Sequence, residues 1–388
     1  LETRNLLSHF ITVSYPGALQ TFLNGINDHG QIIGNYLDGK TDLEHAFLYQ
    51  NGEFTPFDFP GSLYTIVNGI NNEGQIVGVY VTDSVSHPVS HPFVYDHGVF
   101  TPFPKPADAQ FLFLSAINDQ GDVVGYYFTT NFDLRAFIFS NGSLTTIDSP
   151  DNTPIFPTGI NDSGDITLQI SSRFGFFGLV YSHGASTLIN NTIGGPPTTF
   201  VNGINNRGQF VGDFVEYSFG VGRAFHGFVE SLTPPSFTTF DVPGGFARFP
   251  TTIPEGINDS GEIVGYYATN PNDEPAGFIA DLDPPQSSAP ASAADLSNTA
   301  SAQQTVSGLT AQSVNVVTMN GSAGTALNTP ASASSAVTGP SNTNDNPGQG
   351  LSAVVATSAT KSASTLLAGA SDPKNIQDDF TLAQYLSV

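Results

Sequence analysis

Asp213, Glu216, Tyr217, Arg223 and His226 crowd one short stretch of the chain, and their chemistry is that of an acid–base site. Two carboxylates can serve as acid and base in glycoside cleavage, and a Tyr with a His can serve a lyase. Asp213, Glu216, Tyr217 and His226 are therefore the candidate catalytic residues, although no spacing among them is diagnostic of one reaction. Basic residues are scarce: 10 Lys and Arg stand against 34 Asp and Glu, a formal net charge of −24. Such a chain repels phosphate backbones and anionic lipid, which argues against a nucleic-acid partner or electrostatic membrane docking. Against that background Arg135, Arg173, Arg223 and Arg248 are candidate ligand-binding residues, because a guanidinium clamps carboxylate or sulfate through paired hydrogen bonds. The plainer reading pairs them with local Asp and Glu at the surface. His45, His91 and His226 lie too far apart in sequence for a compact metal triad, and a recurring His serves packing and hydrogen bonding more often than ligation. The chain has no Cys, hence no disulfide or thiolate metal site. No cofactor is called for.

These residues are placed by a repeat. Gly-Ile-Asn-(Asp/Asn)-x-Gly recurs at Ile26-Asn27, Ile70-Asn71, Ile117-Asn118 (with Ala116 for Gly), Ile160-Asn161, Ile204-Asn205 and Ile257-Asn258. The spacing is that of one propeller blade, and a repeat of this length decides the fold before any single element does. Each unit reads as four short strands, A to D, from alternation and from β-branched and aromatic enrichment. The A–B turns, such as Asn27-Asp28-His29-Gly30, start with an Asx residue and give Gly the positive φ. Asn51-Gly52, His97-Gly98, Asn141-Gly142 and His183-Gly184 suit tight C–D hairpins.

C strands are expected to begin near His45, His91, Arg135, Phe177, His226 and Ala276, and D strands near Phe10, Phe54, Phe100, Leu144, Ser186 and Phe237. The chain thus opens on a D strand and ends on a C strand, so Phe10 to Gly17 would complete the sheet that ends at Gly277-Phe278-Ile279-Ala280. A ring needs that split blade and an open array does not. The expectation is an all-β, six-bladed β-propeller over residues 1–283, closed by an N-terminal strand.

His45-Ala46-Phe47, with its variants Arg135-Ala136-Phe137 and His226-Gly227-Phe228, resembles the HAF family of bacterial extracellular repeats, over roughly residues 9–283. The resemblance implies an exported bacterial protein and carries over no catalytic residue. Blade four departs from the pattern: Ile166-Thr167-Leu168-Gln169-Ile170 stands in the second strand and Phe177-Gly178 replaces His-Ala. Asn-Asp-x-Gly is also similar to the Asp-box turn of sialidase-like propellers, where the motif is structural.

From Ser287 onward Ser, Ala, Thr, Asn and Gly dominate, and of 44 Phe and Tyr only Phe380 and Tyr385 lie there. Residues 284–371 read as a linker or disordered tail that cannot offset its own ordering entropy. Residues 372–388 turn from acidic to apolar, as an uncleaved export signal or a short docking segment would. The tail is also a candidate for self-association. No apolar run is long enough to span a membrane, and a start at Leu1 rather than Met fits a chain whose signal has been removed.

In a four-stranded blade the A–B and C–D turns share one face of the disc. The long connections, Val81 to Pro92, Pro104 to Leu114, Val215 to Arg223 and Pro243 to Glu255, fall on the other. Variable loops on a rigid frame are where binding surfaces are built, and Arg135, Arg173, Arg223 and Arg248 all map there, with Arg207 opposite. The six repeat Asn residues either line the central channel, where a structural cation could sit, or cap their own hairpins. Asp58, Asp148 and Asp241 are expected to brace the D–A turns, and Tyr36, Tyr80, Tyr127 and Tyr267 to pack between blades. The functional expectation is a secreted or surface-associated propeller that binds glycan or another extracellular polymer through the loop-bearing face. The alternative is a glycan-active enzyme, glycoside hydrolase or polysaccharide lyase, with its site on that face.

Overall fold

The computed structural model describes residues 9–84, 87–147, 153–182, 185–218, 222–243, 251–268 and 274–281. Residues 284–388, Asp148, His183-Gly184 and Arg248 lie outside the described residues, and with them the expectations for both tail segments. The chain opens with β1 (His9–Val13). Blade one is β2 (Ala18–Ile26), β3 (Ile32–Asp38), β4 (Glu44–Gln50) and β5 (Glu53–Pro56); blade two is β6 (Tyr64–Ile70), β7 (Ile76–Ser84), β8 (His87–Asp96) and β9 (Val99–Pro102). Blade three is β10 (Ala109–Ile117), β11 (Val123–Thr129), β12 (Leu134–Ser140) and β13 (Ser143–Ile147); blade four is β14 (Ile155–Ile160), β15 (Ile166–Ser172), β16 (Gly175–Ser182) and β17 (Ala185–Ile189). Blade five is β18 (Thr199–Ile204), β19 (Gln209–Ser218), β20 (Gly222–Leu232) and β21 (Pro235–Phe240), and β22 (Thr252–Ile257), β23 (Glu262–Ala268) and β24 (Pro275–Asp281) begin blade six.

Six four-stranded antiparallel sheets result, and the sixth has the order β1-β24-β23-β22. His9 pairs with Asp281 and Val13 with Gly277, so the first strand of the chain supplies the outer strand of the last blade. The fold is an all-β six-bladed propeller closed as the strand count requires. β1 thereby covers the edge of β24 that would otherwise be unpaired.

Local chemistry explains the blade. Asn51-Gly52, His97-Gly98 and Asn141-Gly142 all have positive φ at both residues, the geometry of a two-residue hairpin whose twist matches its strands. Strand B carries Gly34, Gly78, Gly125, Gly212 and Gly265, each facing a fully buried strand-C ring: Phe47, Phe93, Phe137, Phe228 and Phe278. A Cβ at Gly34 would collide with the Phe22 carbonyl and the Phe47 ring. Blade four breaks the rule on both sides at once, pairing Leu168 with Leu179, so the smaller partner ring space is matched by a larger strand-B residue.

Two loop expectations are corrected. Val81 to Pro92 and Val215 to Arg223 are mostly strand, because β7–β8 and β19–β20 continue to Ser84↔His87 and Ser218↔Gly222. Strands β8 and β20 accordingly start well before His91 and His226. The D–A turns are braced by threonines rather than by Asp: Thr21, Thr65, Thr199 and Thr252 accept hydrogen bonds from the N–H groups of Tyr15, Phe59, Asn191 and Val242.

Candidate functional site

The two ends of the channel differ in kind. At the A–B mouth, a funnel of about 370 Å³, open solvent included, is lined by the Ile-Asn-Asx triplets of all six repeats. Each Asn Oδ1 accepts N–H groups of its own turn, as Asn27 does from His29 and Gln31. Each Nδ2 then reaches to the next blade: Asn27 donates to the Asn71 carbonyl, Asn71 to Asn118, Asn118 to Asn161, Asn161 to Asn205, Asn205 to Asn258 and Asn258 back to Asn27. The next residues form a second ring, in which Asn72, Asp119, Asp162, Asn206, Asp259 and Asp28 each accept the preceding blade's N–H. The repeat Asn caps its own hairpin and lines the mouth, and it also latches the neighbouring blade, which neither reading of the sequence included.

Each of these oxygens accepts an N–H of its own or the preceding blade's turn. Among the described residues no group of three His, Asp or Glu is arranged to hold a metal. Burial, with the nearby Asp119 charge, raises the Asp162 carboxyl, while the Asp119 N–H opposes the rise.

A third ring lies deeper. The residue before each Gly-Ile, or Ala-Ile in blade three, sits in a β-bulge of the inner strand, which turns its side chain sideways. Asn24, Asn68, Thr158 and Asn202 use that direction to donate to the next blade's carbonyls at 2.7 Å. One rung outward, Asn35 donates to the Thr65 carbonyl and accepts the Val67 N–H, and Gln169 does the same with Thr199 and Val201. Asp213 occupies this register position in blade five, opposite Phe200 as Asn35 is opposite Phe22. The residue matching Val67 and Val201 in blade six is Pro254, which has no N–H to offer. Burial pushes the Asp213 carboxyl up to about 8, opposed by the Asn202 amide. A protonated Asp213 supplies one donor, as the amides of Asn35 and Gln169 do. Asp213 therefore belongs to the blade interface and does not join Glu216 in an acid–base pair.

The B–C/D–A face is irregular. Arg135 is exposed at the start of β12, and Arg173, in the β15–β16 turn, places Cζ 4.7 Å from the centroid of the Phe174 ring. Arg223 lies opposite Tyr217 on β20, with Cζ 5.3 Å from that ring's centroid. Among the described residues none of these three guanidinium groups forms an ion pair; this face instead holds the His–carboxylate contacts of His45 and His226. Arg207 sits in an A–B turn on the opposite face. Phe132 and Phe174 are 62% and 51% exposed in the B–C turns of adjacent blades, and Phe132 holds φ +64°, a conformation that a bulky side chain adopts at a cost.

Blade five builds the densest cluster. His226 Nδ1 lies 2.9 and 3.1 Å from the two Asp241 oxygens, and Nε2 lies 3.2 Å from Glu216 Oε2. Tyr217 packs against Gly195, where a Cβ would strike its ring, and its hydroxyl bonds Thr198 Oγ1 at 2.8 Å. Glu216 and His226 are thus brought together with Asp241, which sequence reasoning assigned to a turn, whereas Tyr217 and Arg223 pair with each other on the opposite face of the hairpin and Asp213 lies in the blade interface. The signal for Asp241 was present: Asp58 bears the same relation to His45, at 2.7 Å. His91 instead meets Thr82 Oγ1 at 2.9 Å. Tyr36 and Tyr80 stack on Tyr15 and Phe59 at 3.7 Å between ring centroids, and Tyr127 and Tyr267 are buried, so these tyrosines pack the blades.

The chain matches no protein-family model and no curated protein. Among solved structures it is similar to the six-bladed, fucose-recognising lectin of Aleuria aurantia, at 14% identity over 58% of this chain and 80% of the lectin, TM-score 0.37. It is also similar to the β-propeller domain of the Trilobed protease from Pyrococcus furiosus, described as having an open velcro topology, at 11% identity over 68% and 96% of the chains, TM-score 0.42. Lectins and propeller enzymes both occur among such neighbours, and values this low carry no argument about activity.

Proposed function

We propose that this is an exported bacterial binding propeller that captures glycan or another extracellular polymer on its B–C/D–A face, with the tail as spacer, anchor or export element. One observation carries the reading. In a chain of net charge −24, scarce arginines with no carboxylate partner among the described residues lie against aromatic rings on adjacent blades, Arg173 on Phe174 and Arg223 on Tyr217. A guanidinium beside an aromatic face suits a sugar bearing carboxylate or sulfate: the ring takes the apolar sugar face and the arginine takes the charge. The HAF-type residues support export.

A glycan array read together with mass spectrometry of the eluted ligands tests this. Retention of uronate, sialate or sulfate-bearing oligosaccharides without cleavage is the expected result. Shortened or unsaturated products would favour the second reading, a glycan-active enzyme, for which Glu216 and His226 with Tyr217 are the available groups. With Asp213 buried elsewhere, that reading has lost one member of its carboxylate pair.

A further inference from the structure

The two arginine–aromatic pairs, Arg173 with Phe174 and Arg223 with Tyr217, belong to different blades, yet one segment of the connection from β17 to β18 touches both turns. This strap is Ile193 to Thr198. On the blade-four side the Pro197 carbonyl accepts the Phe176 N–H, and a Cβ at Gly175 would collide with that carbonyl. Gly175 directly follows Arg173 and Phe174, and Ser172 Oγ fixes the same turn by accepting the Phe174 N–H and donating to the Gly175 carbonyl. On the blade-five side the strap runs along the inner edge of β19. Ile193 donates to the Val215 carbonyl and accepts the Tyr217 N–H, while the Thr198 carbonyl accepts the Val215 N–H. Thr198 therefore lies between Phe176 and Val215 as a strand lies between two others, which sets β16 and β19 about 10 Å apart there, two strand spacings.

Side chains complete the docking. The Tyr217 ring lies on Gly195, where a Cβ would strike it. Thr198 Oγ1 gives its one hydrogen to the Pro196 carbonyl at 3.3 Å, so the Tyr217 hydroxyl donates to Thr198 at 2.8 Å. Arg223 is the cross-strand partner of Tyr217 and shares its face of the hairpin. The strap carries no charged side chain, and its Ile193 is exposed.

We propose that the strap joins the two arginine–aromatic pairs into one site spanning blades four and five, which takes an oligosaccharide bearing at least two acidic groups rather than a single acidic sugar. It rests on the acidic-glycan reading above. A lone acidic sugar meets one guanidinium against the long-range repulsion of a chain of net charge −24. An oligomer held at one pair meets the second without a further loss of translational freedom, because the strap has already fixed the spacing. Gly195 and Thr198 are positioning residues: they seat Tyr217, and Tyr217 directs Arg223.

Calorimetric titration of the full chain with galacturonate and with tetragalacturonate tests this, at a temperature where every variant is folded. One tetragalacturonate should bind per chain, about tenfold or more tighter than galacturonate. Arg173→Ala and Arg223→Ala should each weaken the oligomer about tenfold or more with the stoichiometry unchanged, the lower end for hydrogen bonds to a charged group. Gly195→Ala should match Arg223→Ala, and the double variant should lose nothing further. Thr198→Val should repeat that loss without crowding the ring, and Thr198→Ser should restore binding. Two oligomers per chain, or an oligomer no tighter than the single sugar, overturns the joined site. Gly195→Ala and Thr198→Val that both bind like the wild type, or losses that multiply with Arg223→Ala, overturn the positioning role of the strap. Binding of neither sugar overturns the acidic-glycan reading itself.

Discussion

The A–B mouth repeats the same contacts in all six blades, whereas the B–C/D–A face repeats its threonine brace in four and its His–Asp pair in two. At the mouth every blade offers an Asn to its own turn and to its neighbour, and the ring closes between Asn258 and Asn27, residues from opposite ends of the propeller. On the other face blade five lengthens its hairpin, blade three holds Phe132 at φ +64°, and blade four sets Arg173 on Phe174. Regularity at one end is what ring closure requires, since each blade must satisfy identical buried donors. Irregularity at the other end has no such structural cause. The proposed reading assigns stability to the mouth and ligand capture to the far face, and on that reading each of the following variants should act on one and spare the other.

Deleting residues 1–17 should act most strongly, because it removes β1 and leaves β24 as an unpaired edge. Aggregation or a large fall in Tm is expected; a truncated protein that melts like the parent would show that closure contributes little.

Next comes Asp213. Its folded pKa of about 8 is raised from the ordinary 3.8, so the native state binds the proton more tightly than the unfolded chain. The resulting stability is fully present below about pH 4 and is lost as pH rises through about 8. Denaturant midpoints should fall across that window in the wild type and stay flatter in Asp213→Asn, which imitates Asn35 and should be the more stable protein above the folded pKa. A parallel decline in both would show that some other group governs alkaline sensitivity.

Asn118→Ala should cost about 2–4 kcal/mol, since it strips a donor from the buried Asn161 carbonyl and an acceptor from the half-buried Asp122 N–H. Glycan retention at the temperature of full folding should be unchanged.

The arginines reverse that pattern. Arg173→Ala and Arg223→Ala should each weaken an acidic glycan by about 1.5–3 kcal/mol with little change in Tm, and Arg248→Ala is expected to do the same. Arg207→Ala, in an A–B turn, is the control. Equal affinities for all four would assign these arginines to the surface rather than to a site, and a preference for neutral glycans would do likewise.

Much of this was legible in the chain itself. The six Gly-Ile-Asn phrases, the Asn-Gly and His-Gly hairpins and the orphan D strand at the start specified blade number, strand order and closure, because turn chemistry and period-2 alternation act between residues a few positions apart. Even the dispersal of the acid–base cluster had a signal: Asp213 and Glu216 are three apart in a strand, so their side chains leave opposite faces. What only the tertiary structure decided was who meets whom between blades and across a blade's outer edge. Asp241 reaches His226 because strand D folds back beside strand C, Asn118 reaches Asn161 because two bulged inner strands are pressed together, and the Asp213 carboxyl is pushed up by its burial in the blade interface. Those side-chain contacts join residues 15 and 43 positions apart, and radial packing, not local propensity, sets them.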